Sequence, residues 1–568
     1  MCTGVVRSAV VLPAIVLILM STAAAPSRPR HPPADELRQA IELRLRGGRP
    51  SGVSQARWRC VRALYDGSAR LPVWFDSGGG LGRVPELVGE LAAARGHGLA
   101  VDPAAIDSLT AAIARARSST FPSAASVAEA DVLLSVAFVT LAENLLVGQL
   151  DPRAVTRNWH IAPSRRDVDS LISGRAATRP LSGVLSTLEP DDPVYAALRE
   201  RLVDYRAIVA RGGWGTVPPG PTLRPGAGGE PARLGALARR LWREGYLADS
   251  APGSGSAVFD TALAAAVARF QAHHAIRVDS ALSPETVKVL NVPAEYRVGQ
   301  IAANLERIRW LPHAMRDRHL IVNVPSFRLL LREGGRTVSS MRVVVGAEYR
   351  DRRTPVFADS MSVVIFQPYW NVTPNITLRE VIPKAARDPS YLARNDYEVV
   401  RGDGDDAPVA SAALLTPEAV RAGRVRVRQR PGERNALGRA KFIFPNAYNV
   451  YLHDTPQRTL FERDVRAFSH GCIRVEKPAE LASWVLGWDS ARVADALAGP
   501  RPNQYAPLSR KLPVFIIYLT AFTRDGELFF GNDLYGEDEP LVRRVAAGAL
   551  PDARSAAALE RLRRSVAE

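Results

Sequence analysis

At 568 residues, with about 100–200 residues per domain, the chain has room for three or four domains. A 46% hydrophobic and 23% charged composition is that of ordinary globular protein, with enough apolar residue for sizeable cores. The net charge of +16 suits anionic surroundings, but five lysines against 69 arginines resemble a coding bias, and no basic block interleaved with aromatics argues for a nucleic-acid partner.

The N-terminus reads as an export signal over residues 1–25. Arg7 supplies the positive charge, Ala9 to Met20 the apolar run, and Thr22-Ala23-Ala24-Ala25 the small residues for cleavage. The run is shorter than the roughly 20 residues that span a bilayer. Pro26 is a poor residue after a cut at Ala25, so an uncleaved N-terminal anchor is the one membrane attachment expected. No second apolar run of spanning length is expected downstream. Cys2 leaves with the signal, and the remaining pair, Cys60 and Cys472, suits a disulfide in an oxidising compartment.

Residues 33–220 read as a helical scaffold. Leu37, Ile41 and Leu45 recur at helical spacing, as do Val84, Leu87, Val88 and Leu91, and Val132, Leu133, Ala137 and Leu141. Trp74, Trp159 and Tyr195 are core or interface aromatics, and nothing in this part suggests chemistry. A Gly/Pro-rich stretch from Gly212 to Gly229 reads as a linker or an irregular surface segment.

Residues 231–293 form a three-helix unit. Leu234, Leu237, Ala238 and Leu241 mark the first helix; Leu263, Val267, Phe270 and Gln271 mark the second, after the loop Gly253-Ser254-Gly255. Ser283 caps the third and Pro284 fits its first position. His273-His274, without further ligands, reads as surface rather than metal. The residues Leu241, Gly245-Tyr246-Leu247, Phe259-Asp260, Val267, Phe270-Gln271 and Ser283 to Leu290 resemble the peptidoglycan-binding domain. One departure is Val278-Asp279-Ser280-Ala281, where that family carries an Asp-Gly turn.

From 319 to 540 the period is that of strands. Leu320–Val324 and Phe327–Leu331 flank a Pro325-Ser326 turn; Met341–Gly346 and Ser362–Phe366 follow. Val514–Leu519 and Glu527–Phe530 flank Asp525-Gly526, a hairpin signal. Residues 375–429 interrupt the strands and read as a lid insertion. Residues 541–568 read as a helical tail.

The chemistry is carried by Tyr451-Leu452-His453-Asp454-Thr455 and Ser469-His470-Gly471-Cys472-Ile473-Arg474. A thiol reacts as thiolate, and a nearby imidazole lowers its pKa and takes its proton. Gly471 admits close backbone approach and, with neighbouring N–H groups, suits an oxyanion hole.

This string matches the signature of the YkuD-type L,D-transpeptidases in His453, Ser469, His470, Gly471, Cys472, Ile473 and Arg474. Arg430-Pro431-Gly432, Asn435 to Gly438 and Lys441 to Asn446 resemble the strand and turn leading to that motif. Tyr369-Trp370-Asn371-Val372-Thr373-Pro374 resembles the active-site edge of the family's long members, which also carry a helical scaffold and an internal peptidoglycan-binding module. The resemblance implies a multidomain α+β protein with a mostly-β, sandwich-like catalytic domain, exported to the periplasm or cell envelope. It implies cleavage after the third residue of a tetrapeptide stem, release of D-alanine, and transfer to the side-chain amine of another stem, giving a 3→3 cross-link. Cys472 is the implied nucleophile and His453 the base. Ser469, His470 and Gly471 shape the oxyanion site; Tyr451, Arg474, Trp370 and Asn371 line the substrate groove. Asp454 or a backbone carbonyl orients His453. Peptidoglycan stems and glycan are the implied partners, and no metal or organic cofactor is implied.

Two rival readings share these residues. A carboxypeptidase would use water in place of the amine; a wall-binding scaffold would use Cys472 structurally, bridged to Cys60. Between the two histidines, an apparent strand Tyr448–Leu452 would set His453 beside the thiol, at about 4.5–5.5 Å between Cβ atoms. His470, two residues from Cys472 on an extended strand, would lie roughly 6–7 Å away. His453 is therefore expected to set the thiol's pKa, and His470 the orientation.

Overall fold

The computed structural model describes residues 32–567 except 77–79, 118–122, 163–179, 249–256, 314, 316, 350–351, 405 and 551. The signal assigned to residues 1–25 and the loop Gly253-Ser254-Gly255 lie outside the described residues.

The first unit is helical because its apolar residues recur on one face. Leu37, Ile41 and Leu45 are buried in Ala34–Arg46, and Val84, Leu87, Val88 and Leu91 in Val84–Ala93. Ser54, Asp102 and Ser123 cap their helices through side-chain oxygens. These helices surround Ala124–Val147, whose Asp131 carboxylate accepts from the Tyr65 hydroxyl (2.6 Å) and the amides of Val73 and Trp74 (both 2.9 Å). By length and composition Ala124–Val147 is apolar enough to cross a membrane, contrary to the expectation that no such run follows the signal. Here 61% of its most apolar window is buried, as befits a core helix.

In the three-helix unit the helices are Pro231–Arg243, Thr261–His273 and Pro284–Leu290. The departure at Asp279-Ser280 is absorbed locally. Ser280 takes the left-handed conformation (φ 58°), and Gln271 Oε1 accepts from the Asp279 and Ser280 amides (3.0 and 2.9 Å). Two expectations are corrected. His274 is buried, stacked on Phe270 with ring centroids 3.8 Å apart. The Gly/Pro stretch is an irregular segment packed on the unit, neither a free linker nor wholly at the surface: Val217 is buried and paired with the Asn291 side chain, and Trp214 lies under Arg240.

The strands are β1 (His319–Asn323), β2 (Arg328–Glu333), β3 (Arg336–Gly346), β4 (Phe357–Phe366), β5 (Trp370–Asn371), β6 (Tyr397–Val400), β7 (Val409–Ala410), β8 (Arg426–Gln429), β9 (Ala440–Ile443), β10 (Leu452–His453), β11 (Ala467–Ser469), β12 (Ile473–Val475), β13 (Gln504–Ile517), β14 (Ala521–Arg524) and β15 (Glu527–Phe530). A nine-stranded sheet runs β11-β3-β12-β10-β9-β4-β13-β1-β2, and β2 also pairs with β3, so the sheet closes on itself. The α+β architecture holds, with closure in place of two facing sheets. The Asp525-Gly526 turn joins β14 to β15, not β13 to β15, because β13 is committed to β4 and β1. Both turn residues have positive φ, the conformation two-residue hairpins favour.

The interruption between β4 and β9 folds as its own small unit, a sheet β5-β8-β6-β7 around Val372, Val381 and Val427. It starts at Trp370, before the expected boundary. The helix Ala294–Arg309, to which sequence gave no role, is buried on nearly every face. Its Arg307 pairs with Asp538 (2.6 Å) and its Arg309 donates to the His97 carbonyl (2.9 Å), tying barrel, C-terminus and scaffold together. The C-terminal residues are not a loose tail. Leu541 and Val545 join the barrel's core, and Leu559 and Leu562 join that of the scaffold.

Candidate active site

β10 and β12 are parallel neighbours in the register Leu452↔Ile473 and His453↔Arg474. Leu452 and Ile473 are fully buried, so the alternating residues face the other way. That face carries Tyr451, His453, Cys472 and Arg474, and antiparallel β9 adds Lys441 opposite His453. The Tyr451 and His453 rings meet edge to face at 5.8 Å, and Lys441 Nζ lies 4.0 Å over the Tyr451 ring.

The expected strand Tyr448–Leu452 is only two residues long, because Asn449 has φ 55° and breaks it. In the observed register Tyr451, not His453, lies beside Cys472: the Ile473 amide donates to the Tyr451 carbonyl (3.0 Å). His453 stands one step further along. His470 is not on a strand with Cys472 either, since β11 ends at Ser469 and Gly471 has φ 116°.

His453 is 5% exposed, and its Nδ1–H donates to the Asp454 backbone carbonyl (2.5 Å). This leaves Nε2 as the lone-pair nitrogen. Burial, then the Arg474 charge, pulls His453 down to about 3. The Asp454 carboxylate turns away, accepting from the Arg439 amide (2.8 Å) and the Arg458 guanidinium (2.5 Å). Burial raises the Cys472 thiol, against opposing pulls from Tyr451, Lys441 and Arg474. Expecting a neighbouring imidazole to hold a thiolate leaves out this desolvation. Both shifts favour the uncharged forms, neutral thiol and neutral imidazole.

Ser469 is buried and staples the turn: its hydroxyl donates to the Cys472 carbonyl (2.5 Å) and accepts from the Gly471 amide (3.1 Å). Tyr451 Oη is in hydrogen-bonding contact with both Cys472 and Trp370, and burial holds its proton on. Arg474 Nη1 donates to Gln457 Oε1 (2.7 Å), while its Nε is buried with no partner among the described residues. Asn371 Oδ1 accepts from the Arg426 guanidinium on β8, so the Asn371 side chain serves the inserted unit's own sheet. His470 Nε2 meets Glu380 Oε1 of that unit at 2.7 Å.

Sequence reasoning missed a third contributor, the scaffold. His160 N–H donates to the Val356 carbonyl (2.7 Å) and the Val356 amide to the Asn158 carbonyl (3.0 Å). Two residues earlier, Thr354 Oγ1 donates to the Gly471 carbonyl (2.8 Å). The His160 ring lies 4.7 Å from that of Tyr448, whose neighbour Asn449 accepts from Cys472 Sγ (3.5 Å). The scaffold thus braces both sides of the thiol. Nothing in its helical periodicity signals this; the contacts are non-local. Cys60 is buried in the scaffold core and forms no disulfide with Cys472, which removes the bridge on which the structural-cysteine reading depended.

Residues 317–514 match the YkuD family, described as the L,D-transpeptidase catalytic domain. Residues 59–202 match a scaffold domain and residues 231–290 a "putative peptidoglycan binding domain". A curated relative from Haemophilus influenzae, named "Putative L,D-transpeptidase", is 36% identical over 248 residues, 43% of this chain and 48% of the relative. The chain therefore spans about half the length of the curated relative it matches. A solved L,D-transpeptidase from Xylanimonas cellulosilytica is 14% identical, covering 53% of this chain and 98% of that one, with a TM-score of 0.15.

Proposed function

We propose that this chain, which carries the domain set of a long-form YkuD-type L,D-transpeptidase, is an exported envelope enzyme that forms 3→3 cross-links in peptidoglycan. One observation supports this most: the outward face of β10 and β12 brings Tyr451, His453, Cys472 and Arg474 together. In this reading Cys472 Sγ attacks the carbonyl after the third stem residue as His453 Nε2 takes the thiol proton. The sulfur–carbon bond forms, the peptide bond breaks, and the imidazolium returns the proton to the departing D-alanine amine.

The Gly471 amide is committed to Ser469, so the Cys472 and His470 amides serve the oxyanion. Tyr451 donates to the sulfur when it carries charge. The free edge of Arg474 takes a stem carboxylate, and Trp370 walls the groove. The unit over residues 375–429 caps it, anchored by the His470–Glu380 contact. The acyl group then passes to the amine of a second stem. The three-helix module holds the glycan, and no nucleic acid takes part.

Cys472→Ala should abolish D-alanine release from a tetrapeptide stem while the protein stays folded. A carbapenem should add to wild-type Cys472, visible by intact mass, and not to the variant. Continued D-alanine release from Cys472→Ala, or an adduct on Cys60, would overturn the assignment.

A further inference from the structure

The proposed reaction asks for two proton acceptors, one for the thiol and one for the incoming amine. His453 is suited to the first: it is buried, its Nδ1 is committed to the Asp454 carbonyl, and it stands on the strand next to Cys472. The second substrate is different. An alkyl amine has a pKa of about 10.4 and arrives as a cation. Lys441 and Arg474 share the thiol's face and repel it.

One carboxylate is bonded to the nucleophile motif itself. Glu380, on the π-helical turn Thr377–Val381 of the inserted unit, meets His470 Nε2 at 2.7 Å. An ionised carboxylate only accepts, so Nε2 carries the hydrogen and Nδ1 the lone pair. His470 is exposed to solvent and lies two residues from Cys472. Arg352 Nη2 lies 3.7 Å from Glu380 and Tyr397 is within its electrostatic reach. Glu380 nonetheless remains about one-third accessible.

We propose that Glu380 and His470 form the acceptor site, which takes a primary ammonium: Glu380 draws in the cation and His470 is the base for the amine. The inference rests on the transpeptidase reading and assigns its second half. The ammonium first loses one proton to solvent. The amine nitrogen then attacks the thioester carbonyl, forming the N–C bond. The C–Sγ bond breaks with its electron pair on sulfur. The second amine proton passes to His470 Nδ1 and from there, through solvent, to the Cys472 thiolate. Glu380 holds the ring and faces the charge it gains.

A simpler role for the pair is a latch that only holds the inserted unit down, and two variants separate the roles. Glu380→Gln keeps an oxygen for Nε2–H and loses the charge; Glu380→Ala loses both. The readouts are D-alanine release, which reports acylation, and the partition of the acyl-enzyme between a stem amine and water. Glu380→Gln should acylate within about two-fold of wild type and lose roughly 100-fold in the amine-to-water ratio, the lower end of a general base's contribution. Loading Cys472 with an activated acyl ester and discharging it with methylamine or water repeats the measurement without stem recognition. Absent D-alanine release in wild type indicts the transpeptidase reading, and the methylamine ratio then judges the acceptor site separately. A wild-type ratio in Glu380→Gln, or equal losses in acylation and transfer, overturns the inference.

Discussion

At the scale of single residues, the shifts at Cys472 and His453 both favour a neutral pair. The thiol of Cys472 is raised by burial and His453 is lowered to about 3 by burial and the Arg474 charge. Both shifts favour the uncharged forms and oppose proton exchange between thiol and imidazole at rest. The sign of the pH dependence follows. Alkylation of Cys472 by iodoacetamide should still be rising above pH 8.5, the ordinary thiol value of about 8.5 marking the lower bound. His453→Ala should leave that profile almost unchanged while acylation by a stem falls about 100-fold or more. A wild-type alkylation midpoint below pH 7 would falsify the neutral pair. His453 should also stay neutral through the mildly acidic range, so no acid limb near pH 6.5 arises from it.

At the scale of elements, two short strands carry the chemistry, and turns place them. Gly438 has φ 58°, and a Cβ there would stand 2.3 Å from Asp454 Oδ2. The same Asp454 supplies the carbonyl that orients His453. Gly438→Ala must therefore either strain its own turn or push Asp454 aside, and it reaches the base through one residue. Acylation should fall about 100-fold, the cost typical of a catalytic group displaced by roughly 1 Å. Cys472 alkylation should be nearly unaffected, because the thiol's own neighbours do not move. Equal loss of both signals would assign Gly438 to general folding instead.

At the scale of the whole molecule, the scaffold packs against the segments that frame the candidate active site. Asn158 and His160 pair with Val356, and Thr354, on the same segment, holds Gly471. The His160 ring braces Tyr448, next to the Asn449 carbonyl that receives the thiol. His160→Ala should lower kcat about ten-fold with little change in KM, since the stem's own contacts remain. His160→Phe keeps a flat ring against Tyr448 and should restore most of the rate, with equal melting temperatures for both variants. A rise in KM at constant kcat, or no rescue by Phe, would place His160 in substrate binding or outside the site.

Much of this was legible in the sequence because it depends on local pattern. Apolar spacing at Leu37, Ile41 and Leu45 gives a helix wherever it sits, and Ser283-Pro284 starts one. The string Ser469 to Arg474 marks the chemistry because nucleophile, glycine and histidine are neighbours in the chain. The β-strand register is different in kind. Which of Tyr451 and His453 stands beside Cys472 is set by the register of β10 on β12, a pairing between segments distant in the chain. The partners Glu380, Lys441, Thr354 and His160 come from four separate segments and meet Cys472's surroundings only after the barrel closes and the scaffold docks. Sequence singled out the residues proposed to react; tertiary packing decided their pKa shifts, their neighbours and the bracing of the thiol, because desolvation and contacts between distant segments exist only in the folded chain.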